Sequence, residues 1–391
     1  MKDQGSCYEI LLNYHCNAAC SFCSQGNFDK SLNAPFELIA KEIYLAKKNG
    51  FTRLGFSGGE PTADKNILKA VKLAKSVGFK FIRIQTNGIR LKDYSFCRSL
   101  AKAGLTFCKF SFTNDDAVLH DSLTGVLGSW ASAFKGLENM KRLKVRLGNN
   151  IVINRYNYNR LKDIIEYFLK KGISNFVVIY PIYTGSMSKN AAKLGVSLPD
   201  CAPYFMQALR FMSSIDMAGE ILFLNVPPCF LPGYESNAIG GDKFNTLVAD
   251  PGGAVTDLDK SADLNKKKGK PCKKCFLKSK CPGVDAGYLK VFGWKGFKPA
   301  LKREKSKIKG ESVYYTDNER CMIEILKKKG PSTTSEILKE SQKMAICKDC
   351  SDGNSVIAAG EKLIRKKIAA KEFKKGVYIW RLTGKYDAFE S

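Results

Sequence analysis

A chain of 391 residues, 44% hydrophobic and 26% charged, is globular and longer than one hydrophobic core usually serves, so two or three domains are expected. No apolar run reaches the roughly 18 residues of a membrane span, and a first strand that begins by Tyr8 leaves no room for a signal peptide, which reads as a cytoplasmic protein. The net charge of +27 fits polyanion binding or lysine-decorated solvated faces, and fourteen cysteines in such a chain favour metal ligation over disulfides.

Apolar runs at Cys7–Leu12, Arg53–Phe56, Phe79–Ile84, Thr106–Phe112, Lys144–Ile153 and Asn175–Tyr180 alternate with amphipathic segments at Phe36–Lys48, Lys65–Val77, Lys92–Ala103, Ser129–Lys141 and Asn159–Lys171. Several of these segments run into Gly50, Gly78, Gly104 or Gly172, the residue that most often closes a helix. Strand–helix alternation on this scale predicts an α/β fold with a parallel sheet. Periodicity alone leaves open whether the sheet is a partial barrel or an open doubly wound one.

Three cysteines, Cys16, Cys20 and Cys23, stand in a C-x3-C-x2-C array on a polar loop directly after the first strand. Three thiolates this close suit one soft metal centre. They are one short of the four that usually hold an iron–sulfur cluster, so one iron would stay open to a non-protein ligand. A zinc site would need a fourth ligand, for which only His15 is near, and a disulfide would need an oxidising compartment. The second strand ends in Gly58-Gly59-Glu60-Pro61, the third in Thr86-Asn87-Gly88, and the fourth runs into Ser111 to Asp115.

The cysteine array followed by the Gly-Gly-Glu-Pro motif resembles the radical S-adenosylmethionine (SAM) superfamily. That resemblance implies a partial (β/α)6 TIM-type barrel over residues 1–195. It also implies a 4Fe–4S cluster on Cys16, Cys20 and Cys23 whose open iron chelates SAM, and an electron donor of the flavodoxin or ferredoxin type. Functional residues of such barrels gather at the C-terminal ends of the strands, where these motifs fall. By the same resemblance Gly58, Gly59 and Glu60 meet the SAM ammonium, with the glycines letting backbone approach a ligand closely. Asn87, Ser111 and Asn154 are polar contacts to SAM, and Phe22 is an aromatic near adenine. Thr86–Gly88 reads equally well as a turn, Asp121–Gly125 as a helix-entry turn, and Phe22 as a core aromatic.

A second group, Cys272, Cys275 and Cys281 in C-x2-C-x5-C spacing, follows Cys229, with Cys201 further upstream. Four thiolates suit a structural zinc or a second cluster. After a radical SAM core the group resembles the SPASM and twitch extensions, which implies an auxiliary 4Fe–4S cluster on Cys229, Cys272, Cys275 and Cys281 within residues 196–300. A full SPASM domain carries a further cysteine soon after that interval; Val284-Asp285 stands there instead, which favours one auxiliary cluster over two.

Residues 301–311 are charged and aperiodic, a linker. Residues 312–391 read as three helices, at Asn318–Lys329, Thr334–Ser341 and Val356–Ile368, then a hairpin of Lys371–Phe373 and Val377–Leu382. This is the order of a winged helix-turn-helix. Such modules bind DNA through the second helix of the motif or dock proteins, and fold alone does not decide between them. Arg365, Lys366, Lys367, Lys374 and Lys375 are the candidate phosphate contacts. Cys347 and Cys350 read as free thiols on a turn, or as two ligands of a zinc site that lacks partners.

Three functions follow: a peptide- or protein-modifying radical SAM enzyme, favoured by the auxiliary cysteines; a nucleic-acid-modifying one, favoured by the basic tail; and an iron–sulfur redox sensor on DNA, which would have no need of a SAM motif.

Overall fold

Strand β1 (Cys7–Leu11) begins a run of strand–helix units: α1 (Phe36–Lys48), β2 (Arg53–Ser57), α2 (Ile67–Ser76), β3 (Phe81–Thr86), α3 (Tyr94–Ala103), β4 (Phe107–Phe110), α4 (Ala117–Thr124), α5 (Ser129–Arg142), β5 (Arg146–Val152), α6 (Leu161–Lys171) and β6 (Asn175–Ile179). The computed structural model describes residues 6–239, 246–301, 317–344, 352–365, 368–374 and 376–383. Two compact units divide the chain, Met1–Lys307 and Ile308–Ser391.

The chain then continues through α7 (Gly185–Lys189), α8 (Ala191–Leu194), α9 (Leu198–Ser214), β7 (Ile221–Leu224), β8 (Ala238–Ile239), β9 (Thr246–Ala249), β10 (Val255–Asp257), α10 (Leu258–Leu264), β11 (Lys266–Lys267), β12 (Val284–Asp285) and α11 (Ala286–Phe292). Among the described residues ten strands form one sheet, in the order β10-β9-β1-β2-β3-β4-β5-β6-β7-β8. From β1 to β7 each strand pairs in parallel with the next in sequence. A doubly wound sheet would reverse direction at a switch point; this order never does, and successive crossovers of one hand leave the helices on one face. The sheet curls into a half-barrel of parallel strands, the partial TIM-type architecture.

Alternation along the strands sorts the side chains. On β4, Cys108 and Phe110 are fully buried toward the helix layer, while Phe107 and Lys109 occupy the other face. The helices close that layer with one apolar stripe each, such as Ile39, Ile43 and Ala46 on α1 and Ile164, Ile165 and Phe168 on α6, at the period expected of an amphipathic helix.

Within the first unit, the residues from 196 onward do not form a separate appendage. Strands β7 and β8 extend the sheet beyond β6, and β9 returns to pair in parallel with β1 on the opposite edge, Cys7 to Thr246 and Ile10 to Ala249. This second edge arises between elements more than two hundred residues apart, which no local periodicity announces.

The second unit holds α12 (Asp317–Lys329), β13 (Ser332–Thr333), α13 (Thr334–Ser341), α14 (Gly353–Arg365), β14 (Ala369–Lys374) and β15 (Val377–Leu382). Its sheet runs β13-β15-β14, all antiparallel. Trp380, fully buried, anchors a core with Met322, Ile325, Leu326, Ile337 and Leu363, and its indole nitrogen donates to Thr334 at 2.9 Å. Gly360 on α14 is required there, because a Cβ would stand 2.2 Å from the Trp380 ring. Thr333 and Glu336 form a reciprocal capping box at the start of α13, which satisfies two orphan donors. Arg365 and Lys374 are exposed. Lys366, Lys367, Lys375, Cys347, Cys350 and residues 302–311 of the linker lie outside the described residues.

Candidate functional site

The loop from Asn13 to Gly26 lies across the C-terminal ends of β1 and β2 and is tied down on two sides. The amides of Ala19 and Ser21 donate to the carbonyls of Thr124 and Leu123 at the end of α4, both at 2.9 Å, and Ser186 donates to Cys23 O at 2.9 Å from α7. Asn190 Nδ2 reaches Ser21 O at 3.0 Å, and Thr184 Oγ1 reaches Ser24 O at 3.1 Å. Backbone clamps therefore hold the three cysteines in place independently of their thiols.

Cys16, Cys20 and Cys23 are partly buried and free. Burial, followed by the neighbouring Cys16 and Cys23 thiols, pushes the Cys20 thiol up, and burial is also the main cause of the rise at Cys16. Asn87 Nδ2 lies 3.7 Å from Cys16 Sγ and donates to Asn17 Oδ1 at 2.7 Å, so the end of β3 touches the cysteine loop directly. His15 is exposed and contributes its carbonyl, which accepts from the Glu60 amide at 2.8 Å. The donor set is the soft sulfur type that a 4Fe–4S cluster takes.

Glu60 is buried, and its carboxylate is a hub. Oε1 accepts from the Thr62 amide (2.9 Å), the Thr62 hydroxyl (2.5 Å) and Thr86 Oγ1 (2.7 Å), and Oε2 accepts from the Asn87 amide at 2.7 Å. Burial raises its pKa, and these hydrogen bonds oppose the rise. The carboxylate thus locks the β2 turn to the β3 turn and fixes the backbone of Asn87.

Gly58 and Gly59 meet the chain itself. A Cβ on Gly58 would stand 2.3 Å from Asn13 O, and one on Gly59 2.0 Å from His15 O; the Gly59 amide donates to Asn13 O at 2.8 Å. Both glycines are needed for the β2 turn to lie against the cysteine loop. Gly59→Ala is accordingly expected to displace the loop, so that iron content and SAM affinity fall together. Wild-type values of both, by iron analysis and equilibrium binding, would contradict this contact.

Beyond β4, Ser111 is partly exposed, and the backbone beside it is fixed by buried asparagines that sequence reasoning missed. Asn149 exchanges hydrogen bonds with the backbone of Phe112 at 2.8 and 3.1 Å. Asn157 Nδ2 bridges Thr113 O and Val152 O at 2.9 and 2.8 Å. The available signal was residue type alone, an asparagine inside strand β5 at Asn149 and another past its end at Asn157. Asn154 is fully buried, and its side chain closes the turn after β5 by accepting from the Tyr156 amide at 2.9 Å. Phe22 is partly buried on the cysteine loop. Asp121 caps α5 through the Gly128 and Trp130 amides and Ser129 Oγ, the helix-entry reading of that motif.

The second cysteine group converges. Cys229, Cys272, Cys275 and Cys281 line one pocket, with Phe297, Lys268 and Val284 around them. Burial first, then the neighbouring Cys281, Cys275 and Cys272 thiols, push Cys229 up to about 12. Among the described residues no group of three Cys, His, Asp or Glu side chains is placed closely enough to hold a metal ion. Phe297 ties the pocket to the barrel through Tyr288 (5.8 Å between ring centroids), which packs edge-on against Tyr180 at the end of β6 at 5.7 Å. Cys201 is fully buried on α9 and is not among the residues lining the pocket.

Comparison with known proteins agrees with this arrangement. Residues 10–168 match the profile of the Radical SAM superfamily. The chain carries a radical SAM domain. A domain of this kind at residues 10–168 implies a 4Fe–4S cluster and SAM, and the protein is an enzyme. The PqqA peptide cyclase of Rhodopseudomonas palustris is 27% identical over 304 residues, covering 69% of this chain and 78% of that one. A probable GTP 3′,8-cyclase of Sulfurisphaera tokodaii is 27% identical over 183 residues, 45% of this chain and 56% of that one, so the likeness spans about half of the cyclase. In fold, the chain is similar to SuiB of Streptococcus suis bound to SAM (TM-score 0.55, 17% identity, 76% of this chain and 77% of that one) and to anSMEcpe bound to AdoMet and the Kp18Cys peptide (TM-score 0.56, 16% identity, 75% and 93%). Among the described residues no helix is long and apolar enough to cross a membrane.

Proposed function

We propose that this radical SAM enzyme modifies a peptide or protein by hydrogen abstraction, with a second 4Fe–4S cluster on Cys229, Cys272, Cys275 and Cys281. One observation carries the reading: four cysteines from two distant segments line one pocket that is packed through Phe297 and Tyr288 onto the SAM domain. The likeness to a peptide cyclase over most of both chains supports the substrate class.

Cys16, Cys20 and Cys23 would hold the first cluster, which would supply the electron for cleavage of SAM to methionine and a 5′-deoxyadenosyl radical. Glu60 holds the Asn87 backbone in place, and Asn87 steadies Cys16. Gly58 and Gly59 bring the β2 turn onto the cysteine loop, and Glu60, Asn87, Ser111, Asn154 and Phe22 are the residues that would meet SAM. With all four cysteines of the second site engaged, a cluster there would have no open iron and would serve electron transfer or structure. Residues 312–391 read as a winged helix that docks the peptide, since α12, α13, α14 and the β14–β15 hairpin follow that order. Electrons would come from a flavodoxin or ferredoxin.

The test is to incubate iron-loaded protein with SAM, dithionite and either a random-sequence peptide pool or an RNA pool. The reading expects the peptide pool to accelerate 5′-deoxyadenosine formation and to yield peptides of altered mass. Acceleration by RNA alone, with unmodified peptides, would overturn it.

A further inference from the structure

The concave face of the sheet carries a row of polar side chains that the site described above does not use. Asn150 on β5 donates to Gln85 on β3 at 2.8 Å, Gln85 donates to Glu9 on β1 at 2.7 Å, and Arg83 donates to the other oxygen of Glu9 at 2.5 Å. Gly55 on β2 makes room for this pairing, since a Cβ there would stand 2.0 Å from the Glu9 carboxylate. The Glu9 charge is therefore matched by Arg83.

Lys109 is not matched. It lies on the same face of β4, paired in register with Gln85 on one side and Gly148 on the other, and only 5% of it is exposed. Among the described residues its ammonium has no recorded hydrogen bond or ion pair; its recorded neighbour is the Phe107 ring, 5.9 Å away. Burial drives its pKa well below the usual lysine range, Arg83 and Arg53 push the same way, and Glu9 opposes them. A buried ammonium without a counter-ion is costly, so Lys109 holds its proton best when an opposite charge comes to meet it. Lys109 sits two residues before Ser111, just beneath the strand ends where the SAM motifs gather.

We propose that Lys109 is a substrate-binding residue whose ammonium receives a carboxylate of the substrate, so that the molecule modified carries an acidic group close to the carbon that loses hydrogen. Under the peptide reading above, on which the substrate class rests, this group is a Glu or Asp side chain or the peptide's C-terminal carboxylate. Nearby, Glu9 is matched by Arg83 and Arg146 by Glu220, so Lys109 is a cation on this face available to meet a substrate charge. A charge-assisted hydrogen bond of this kind contributes about 1.5–3 kcal/mol, or about 10- to 100-fold in affinity.

Two measurements on the full-length, iron-loaded protein test this. In the first, Lys109 is acetylated with acetic anhydride, and its labelling is followed by mass spectrometry with glutarate, with the neutral glutaramide, or with SAM alone. Protection by glutarate but not by glutaramide is expected. Equal labelling in all three, or protection by SAM alone, would overturn the proposal, the latter because it would assign Lys109 to the SAM carboxylate. In the second, amidated peptide pools containing Glu and Asp, the same pools with Gln and Asn, and pools with a free C-terminus are compared for acceleration of 5′-deoxyadenosine formation. Wild type should favour a carboxylate-bearing pool about tenfold or more. Lys109→Met, at matched iron content, should lose that preference, and Lys109→Arg should keep part of it. Undiminished preference in Lys109→Met would contradict the role. Glutarate protection with no response to any peptide pool would support the carboxylate site and overturn the peptide reading instead.

Discussion

Replacing Cys16, Cys20 and Cys23 together by alanine is expected to halve the iron of reconstituted protein, from about eight to about four per chain, and to abolish SAM cleavage. The variant should remain folded, because the loop is held by backbone bonds from Ala19, Ser21 and Cys23 to Thr124, Leu123 and Ser186, none of which uses a thiol. Iron unchanged by the triple substitution would remove the assignment of the SAM-binding cluster. A wild-type preparation with about four iron plus zinc would remove only the auxiliary cluster and make the second pocket a zinc site.

The second large effect concerns the C-terminal unit. Deletion of residues 308–391 should leave SAM cleavage intact, since the sheet, the cysteine loop and the four-cysteine pocket all belong to Met1–Lys307. Turnover on the true substrate should fall about 100-fold or more, the usual gain when a tethered docking module raises effective concentration. Full-rate modification by the truncated enzyme would show that the unit neither clamps nor docks the substrate. If the unit grips nucleic acid instead, its affinity would fall with salt at a slope of roughly −0.9 per phosphate contact, and neutralising the exposed Arg365 and Lys374 would flatten that slope by about two units. A peptide-docking unit held by apolar contacts would depend on salt only weakly.

Much of the first unit is legible in the sequence because its signals are local. The stripe on Phe36–Lys48 matches α1 at both ends, and each of the first six apolar runs becomes a strand. The cysteine array is legible for a chemical reason: few arrangements of three thiols this close exist outside metal centres. What stays hidden is non-local. Thr246–Ala249 is four residues long and pairs with β1 only after the chain has crossed the sheet, so the region after residue 195 looks detachable when it is built into both sheet edges. The meaning of Gly58 and Gly59 is hidden in the same way. Their type announces a close approach, but only the fold reveals that the approaching group is the backbone of Asn13 and His15. Asn149 and Asn157, which fix the turns after β4 and β5, carry no spacing signature at all. Lys109 had a signal that is easy to pass over: a lysine inside the apolar run Thr106–Phe112 that otherwise reads as an interior strand.

The proposed function requires that this chain reductively cleave SAM to a radical and direct it at a bound peptide. The most direct measurement is the formation of 5′-deoxyadenosine and methionine by the full-length protein, anaerobically reconstituted, with SAM and dithionite. Equal amounts of the two products, formed by wild type and lost in the protein lacking Cys16, Cys20 and Cys23, is the expected result. Intact SAM after prolonged incubation with protein of verified iron content would contradict it.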